Sequence, residues 1–500
     1  MLDDASNCLG VVVVGAIFLH FLVKFLGRKS PSVPPGPSGL PVLGHLLQIP
    51  LHYPEVAFHK LGQLYGDLVY MYVPGRKMVV VNNRAVAEEL LEKRGANYSD
   101  RPRFTMLVEM MGWDPTLTLM PYSKRSQKHR RMLQQYLAHD TLKNFQVYQI
   151  AESKKLISKL ISDDAHYEEH VKLYILALIM KIAFGHEISE DDQYVKMAHD
   201  VTYTLDNSGA PGATPPDLLP SLKHVPSWLP GASFATFAKN WRKAVRLIHD
   251  LPYQQVKEKH EQGTANACFL NEALENSSED SFSSAEHVED IKGVAANIFC
   301  AGNDTTFGTI LCFMLAMVLN PEVQERAAKE LDEVVGRDRL PTFEDRSRLR
   351  YVECVVQETL RWHPVLPLGI PHKTVQADIY QGYHVPAKTV VIANAYGMSR
   401  DEKVYQQPHE FRPERFLPKP DGNGEPYFDP SWGFGRRVCP GKPLADASFW
   451  IAAATILSTV QLSAAGSVEP KFVSGGIVSY PERFPCRVEV RDAVRASLLH

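Results

Sequence analysis

Residues Trp432 to Gly441 (WGFGRRVCPG) set one cysteine, Cys439, among three glycines and two arginines. An apolar stretch, Leu444 to Leu457, follows directly and reads as a helix. Glycines carry no Cβ, so this backbone can approach a flat partner closely. A cysteine just ahead of a helix N-terminus meets free N–H donors and roughly half a positive charge, which favour thiolate over thiol. Pro440 is expected in the first turn, where a missing N–H is harmless. Arg436 and Arg437 add positive charge. Two readings fit these residues: an iron ligand, or a small buried hydrophobe, the usual lot of a lone cysteine.

The rest of the composition narrows the class. The chain has 500 residues, 45% of them hydrophobic and 22% charged, an ordinary globular balance able to bury a large core. Lys and Arg number 54 against 57 Asp and Glu, a net charge of −3 with no basic tail, which argues against nucleic acid as a partner. The cysteines (Cys8, Cys268, Cys300, Cys312, Cys354, Cys439, Cys486) are scattered, with no Cys-x-x-Cys pair. That spacing argues against a disulfide framework or zinc cluster, and for a reducing compartment.

Leu9 to Leu26 (LGVVVVGAIFLHFLVKFL) is nearly all apolar. Such a helix would span about 27 Å, enough for a thin bilayer such as the endoplasmic reticulum. Asp3 and Asp4 precede it while Lys24, Arg28 and Lys29 end it, which predicts a cytosolic main body by the positive-inside rule. A cleaved signal peptide is the competing reading, but it lacks a basic start and a clean small-x-small site. With the body in the cytosol, the sequons at Asn97 and Asn276 stay unmodified.

Ser30 to Pro41 is rich in proline and predicts a stiff, extended hinge. Leu68 to Val81 reads as a β-hairpin around Pro74-Gly75. Helical patterns are predicted over 141–162, 168–185, 237–262, 286–318, 321–336 and 345–362. Short strand-like pieces recur at 387–394 and 471–490. Between the helices, Asn207 to Gly231 reads as a loop whose Leu218, Leu219, Trp228 and Leu229 suit either an ordinary surface or a membrane-dipping patch.

Two polar groups sit where the pattern is otherwise apolar. Glu358 and Arg361 lie one turn apart on one helix face. A solvated surface pair there is worth under about 1 kcal/mol. Apolar flanks, the helix stop at Trp362-His-Pro364 and the later Phe411-Arg-Pro-Glu-Arg-Phe416 argue for a buried role instead. Upstream, Ala301-Gly-Asn-Asp-Thr-Thr306 interrupts the apolar helix Val294 to Leu319. Buried polar groups cost energy unless partnered. A threonine bonded back to a carbonyl one turn earlier is expected to open the helix, with Gly302 leaving the space clear.

In this order and spacing the motifs resemble the cytochrome P-450 family over about residues 34 to 490. Gly435, Arg437, Cys439 and Gly441 fit its haem signature Phe-x-x-Gly-x-Arg-x-Cys-x-Gly, with Trp432 in the phenylalanine place. The clusters Met111-Gly-Trp113, Met120-Pro-Tyr122 and His129-Arg-Arg131 look most like fungal members. The resemblance implies haem b held by the Cys439 thiolate, and a buried ion triad of Glu358, Arg361 and Arg415 that locks the loop into Cys439. It implies a dioxygen groove in which Asp304 and Thr305 deliver protons. Haem propionates need cationic donors. The resemblance points to Arg437, His372 and Arg130, although Ser126 stands where the family usually has tryptophan. Lys124, Arg125, Lys128, Arg131 and Lys442 suit a docking surface for an acidic electron donor.

The expected architecture is therefore mainly α with small β-sheets, the cytochrome P-450 fold preceded by one N-terminal transmembrane helix. Residues 1–29 form the anchor, 30–50 the proline-rich hinge and 51–500 the haem-thiolate monooxygenase domain. The implied function is insertion of one atom of dioxygen into an apolar small molecule, as in fungal secondary metabolism or xenobiotic oxidation. No Gly-x-Gly-x-x-Gly or phosphate loop is present, so electrons are expected from a separate membrane-bound NADPH-dependent reductase, with cytochrome b5 as an optional second donor. The expected location is the endoplasmic reticulum membrane, single-pass, with the catalytic domain in the cytosol. A haem-thiolate isomerase or dehydratase, or a non-catalytic haem carrier or sensor, would share Cys439 but not need the Asp304–Thr305 pair. Apolar candidates for substrate contact are Phe104, Met106, Met110, Trp113, 365–370 and 473–478.

Overall fold

The computed structural model describes residues 32–189, 191–209, 212–277, 284–473 and 476–498. The expected anchor over 1–29 lies outside them. The principal helices are α1 (Pro54–Tyr65), α2 (Lys124–Tyr136), α3 (His139–Ser162), α4 (Tyr167–Phe184), α5 (Gln193–Asn207), α6 (Ser233–Glu261), α7 (Ala285–Leu319), α8 (Pro321–Val334), α9 (Arg350–Trp362) and α10 (Lys442–Thr459). The strands are β1 (Leu68–Val73), β2 (Arg76–Val81), β3 (His372–Lys373), β4 (Asp378–Tyr380), β5 (Tyr383–Val385), β6 (Val390–Ala393), β7 (Val460–Ala464) and β8 (Cys486–Val490).

Helix α7 runs through the centre and packs against α4, α6 and α10, and α10 in turn lies on α3. It is long and apolar enough to cross a membrane, but 83% of its most apolar window is buried inside the protein. Its hydrophobicity serves the core. One sheet has the order β1-β2-β6-β3, with β2 and β6 parallel and the other pairs antiparallel. Val79, Val80 and Val81 are at most 1% exposed, as expected of a strand covered on both faces. Gly75 closes the hairpin at φ +79°, a conformation glycine adopts without strain. Residues of the hinge lie along this sheet: Pro35 O accepts the Tyr70 N–H at 2.8 Å, and the His45 ring stands between Tyr72 O and Pro37 O.

The expected helices are present with shifted ends, except that 345–362 divides. Thr342 and Asp345 form a reciprocal cap that starts a 3₁₀ turn over Phe343–Arg348, and α9 begins only at Arg350. Helix α5 was not foreseen, although Tyr194, Met197, Ala198, Val201 and Thr204 place its buried face at helical spacing. Nor was β7, which pairs with β8, the strand within 471–490. Within 207–231, a short helix (Pro215–Leu218) and a 3₁₀ turn (Pro220–His224) replace plain loop. There Leu219, Trp228 and Leu229 are exposed while Leu218 is half-buried.

Candidate functional site: a cysteine-floored cavity with unpaired cations

A large cavity opens between α7 and the segment leading into α10. Cys439 lines one side, and Ala301, Gly302, Asp304 and Thr305 line the other. The Cys439 loop is tied back on itself, with the Cys439 N–H donating to Trp432 O at 2.8 Å. Gly435 sits at φ +51°, and a Cβ there would lie 2.4 Å from Leu91 O, so only glycine lets the loop approach that backbone. At Gly441 a Cβ would come within 3.8 Å of the Cys439 sulfur, an ordinary contact.

Helix α10 starts at Lys442 with Gly441 as its cap, so Pro443 and not Pro440 occupies the first turn. The N–H groups of Gly441 and Lys442 still reach the sulfur. Burial pushes the Cys439 thiol above its ordinary value, and these N–H groups with Arg130 and Lys442 act against it. The sulfur therefore needs a further positive partner to stand as thiolate, and its face is open to the cavity.

The opposite wall differs from expectation in its contacts. Thr305 Oγ1 donates to Ala301 O at 2.8 Å, yet α7 runs on without a break. Gly302 does not leave empty space beside it: a Cβ there would lie 2.6 Å from the Ile179 side chain, so glycine lets α4 come close. Asp304, 6% exposed, makes no bond to Thr305. It accepts from Thr202 Oγ1 on α5 at 2.6 Å and from Asn303 Nδ2 at 2.9 Å. Burial raises its pKa above the usual carboxylate range. A second acid, Asp206, lies nearby, and burial with the Asp304 charge pushes it up to about 7.

Three guanidinium groups line one flank of the cavity: Arg101, Arg130 and Arg437. Arg101, 5% exposed, had not been foreseen. It donates to Thr118 O, Ile370 O and Pro371 O at 2.7–3.1 Å. Arg437 donates to Ser99 O and Met120 O at 2.8 Å, and Arg130 to Val438 O at 2.7 Å. All three pKa values are lowered by burial, for Arg101 also by the charges of Arg437 and Arg130, and for Arg437 also by that of Arg130. Among the described residues none of the three has a carboxylate partner; the neighbouring Asp100 pairs with Lys373 instead. Repelling cations around a cavity without a counter-ion fit a dianionic occupant such as a dicarboxylate ring system.

His372, brought by β3 to the same wall, must donate Nδ1–H to Tyr98 O at 2.9 Å, because a carbonyl only accepts. Burial and the charges of Arg101 and Arg437 hold it neutral, so its Nε2 offers a lone pair to the cavity until an arriving carboxylate favours the second proton. Ser126 has a use of its own: it closes a reciprocal cap with Ser123 at the start of α2, the helix that carries Arg130.

Behind the cysteine loop, Glu358, Arg361 and Arg415 are each 0% exposed and lie together. Arg361 holds both Glu358 oxygens at 2.8 Å, and Arg415 Nε reaches Oε1 at 3.0 Å. Ser431 Oγ donates to Leu360 O at 2.9 Å, joining α9 to the residue before Trp432.

Of the apolar candidates, Trp113, Val365, Leu366, Leu368, Gly369, Ile370, Ile477 and Val478 line the cavity. Phe104 and Met106 are buried in the core beside it. The basic surface is smaller than expected. Arg125 and Lys128 are committed to buried Asp290 at 2.6 and 2.7 Å, and Lys442 pairs with Asp429 at 3.0 Å. Lys124 and Arg131 stay exposed.

Such a cavity, with a cysteine facing polar residues of a central helix, defines a haem-thiolate class of site. The profile of the Cytochrome P450 family matches residues 34–486. The chain is 36% identical to "Cytochrome P450 monooxygenase 136" of Postia placenta over 503 aligned positions, covering 98% of this chain and 95% of that protein. It is 33% identical to "Cytochrome P450 monooxygenase claR" of Ampulloclitocybe clavipes, covering 98% and 92%. It is 32% identical to "Cytochrome P450 monooxygenase COX2" of Coprinopsis cinerea, covering 99% and 96%. The chain belongs to the cytochrome P450 family, among fungal monooxygenases, and its cofactor is haem b with a cysteine thiolate ligand.

Proposed function

We propose that this monooxygenase inserts one atom of dioxygen into an apolar small molecule, in fungal secondary metabolism or xenobiotic oxidation. The observation that carries the reading is one cavity bounded by Cys439, by Ala301 to Thr305 and by three unpaired guanidinium groups, with otherwise mostly apolar walls. In this reading Cys439 ligates the iron, and Arg101, Arg130, Arg437 and His372 hold the propionates. Trp432, Gly435 and Gly441 shape the loop that carries Cys439. Haem b, when bound, supplies dioxygen activation, helped by electron density from the thiolate.

The chain's own groups manage the protons. Asp304 is held toward its protonated form by burial and is fixed by Thr202. The Thr305 hydroxyl spends its proton on Ala301 O and turns lone pairs to the cavity, where they accept a hydrogen bond. Glu358, Arg361 and Arg415 keep the cysteine loop in place.

Electrons come from NADPH through a separate reductase, with cytochrome b5 as a second donor, docking near the exposed Lys124 and Arg131. Residues 1–29 anchor the chain in the endoplasmic reticulum membrane, 30–50 form the hinge and 51–500 the cytosolic catalytic domain. Supporting a second membrane contact, Val42, Leu47, Leu51, Leu219 and Trp228 are 56–87% exposed. The 218–229 segment lies against the β1–β2 turn, since a Cβ at Gly75 would touch Leu218 O at 3.2 Å.

Replacing Thr305 by Ala tests the reading. Acid–base groups contribute about 10²–10⁴-fold. NADPH consumption through the reductase should continue while hydrogen peroxide rises and oxygenated product falls. Unchanged product per NADPH would remove Thr305 from the mechanism.

A further inference from the structure

Asn297 lies on α7, one and two turns before Ala301 and Thr305, and all three line the cavity. It is 6% exposed, inside a helix that is otherwise largely apolar. One end of its amide is fixed by Thr118, whose N–H and Oγ1 lie 3.3 and 2.9 Å from Oδ1. A backbone N–H can only donate, so the atom facing it is the amide oxygen, and the NH₂ must point the other way. Among the described residues nothing accepts from that Nδ2, nor is it sealed from the cavity as a buried orphan.

The neighbouring hydroxyls are already spent: Thr116 on Trp113 O, Thr118 on Asn297 and Thr305 on Ala301 O. Around the amide the walls are apolar, with Trp113, Leu119 and Ile298. An unspent donor in such surroundings stays without a partner unless water or a ligand supplies an acceptor, which costs roughly a hydrogen bond.

Resting on the monooxygenase reading, we propose that Asn297 orients the substrate by donating to an oxygen acceptor, a ketone, ether or hydroxyl, on an otherwise apolar skeleton. Asn297 and Thr305 are eight residues apart, about 12 Å along the helix at 1.5 Å per residue. The oxidised carbon thus lies well away from the oxygen, and the substrate is an elongated, already oxygenated molecule of terpenoid or steroid length. The class of reaction that supplies it is one that leaves an oxygen at the far end.

Matched probes test this on the holoenzyme through the haem spin-state shift: dodecane and dodecanone, androstane and androstanone. In the unaltered protein at least one ketone should bind about three- to tenfold tighter than its hydrocarbon. Asn297→Leu should bring that pair to parity. Asn297→Asp keeps an acceptor for Thr118 but replaces the donor, and should favour the matching alcohol over the ketone. The proposal fails if no pair shows a ketone preference, or if the preference survives in both variants. Turnover is not read, so that failure leaves the Thr305 test of the monooxygenase reading standing.

Discussion

Glu358→Gln isolates what the buried ion triad contributes, because glutamine keeps the volume and removes only the charge and one acceptor. Glu358 Oε1 takes three donors, from Arg361 Nη2 at 2.8 Å, Arg415 Nε at 3.0 Å and the Arg412 N–H at 2.8 Å. Oε2 takes one, from Arg361 Nε at 2.8 Å. The glutamine oxygen should therefore occupy the Oε1 place, and its NH₂ would then face the Arg361 Nε–H donor to donor. Both guanidinium groups are fully buried, and only Glu425, beside Arg415 at 2.7 Å, remains as a counter-charge. Breaking such a buried pair costs about 3–5 kcal/mol. That is a large part of the roughly 5–15 kcal/mol that holds a typical protein folded.

The assay is urea unfolding followed by tryptophan fluorescence, with haem content measured in parallel. The midpoint should fall at unchanged slope, by that loss divided by the slope. Haem content should fall with it, since Ser431 links α9 to the cysteine loop. A loss under about 1 kcal/mol would place the triad with solvated surface pairs and refute the argument.

Arg101→Met removes one of the three unpaired cations. Hydrogen bonds to charged groups are worth about 1.5–3 kcal/mol, so haem capture by apomyoglobin should be roughly ten- to a hundredfold faster; an unchanged rate would exclude Arg101 as a propionate partner. Burial and the Asp304 charge push Asp206 up to about 7, against an ordinary value of 3.8, so the folded state holds a proton that the unfolded chain releases as pH rises above about 4. Stability from this group falls as pH climbs toward 7. Asp206→Asn should gain thermal stability relative to the unaltered protein between pH 5 and pH 8, as measured by unfolding midpoints, and parallel pH profiles would contradict the shift.

How much of the site could be read from the chain depended on how local its chemistry is. Gly435 was legible because a close backbone approach admits few residue types, and Cys439 because the pattern around it is contiguous in the chain. Glu358 and Arg361 were legible because one helical turn brings them together and the flanking apolar residues bury them. The Asp304–Thr202 bond joins residues 102 positions apart on different helices, and α5 itself had been passed over. Arg101 is one arginine in a loop, and its role arises only where Thr118, Ile370 and Pro371 converge on it. The Ser123–Ser126 cap was legible in its spacing but was read only as a missing tryptophan. Strand β7 was hidden because the apolar pattern of α10 runs straight into it, and only pairing with β8 distinguishes the two.

The most direct measurement is the carbon monoxide spectrum of the reduced protein with Cys439 replaced by Ala. Of the cysteines in the described residues, Cys439 and Cys300 line the cavity, but only Cys439 is exposed; Cys268, Cys300, Cys312, Cys354 and Cys486 are buried. The account predicts that the unaltered protein shows the red-shifted Soret band of thiolate ligation and that the variant lacks it. Retention of that band in the variant would mean that another residue ligates the iron, and would contradict the site as described.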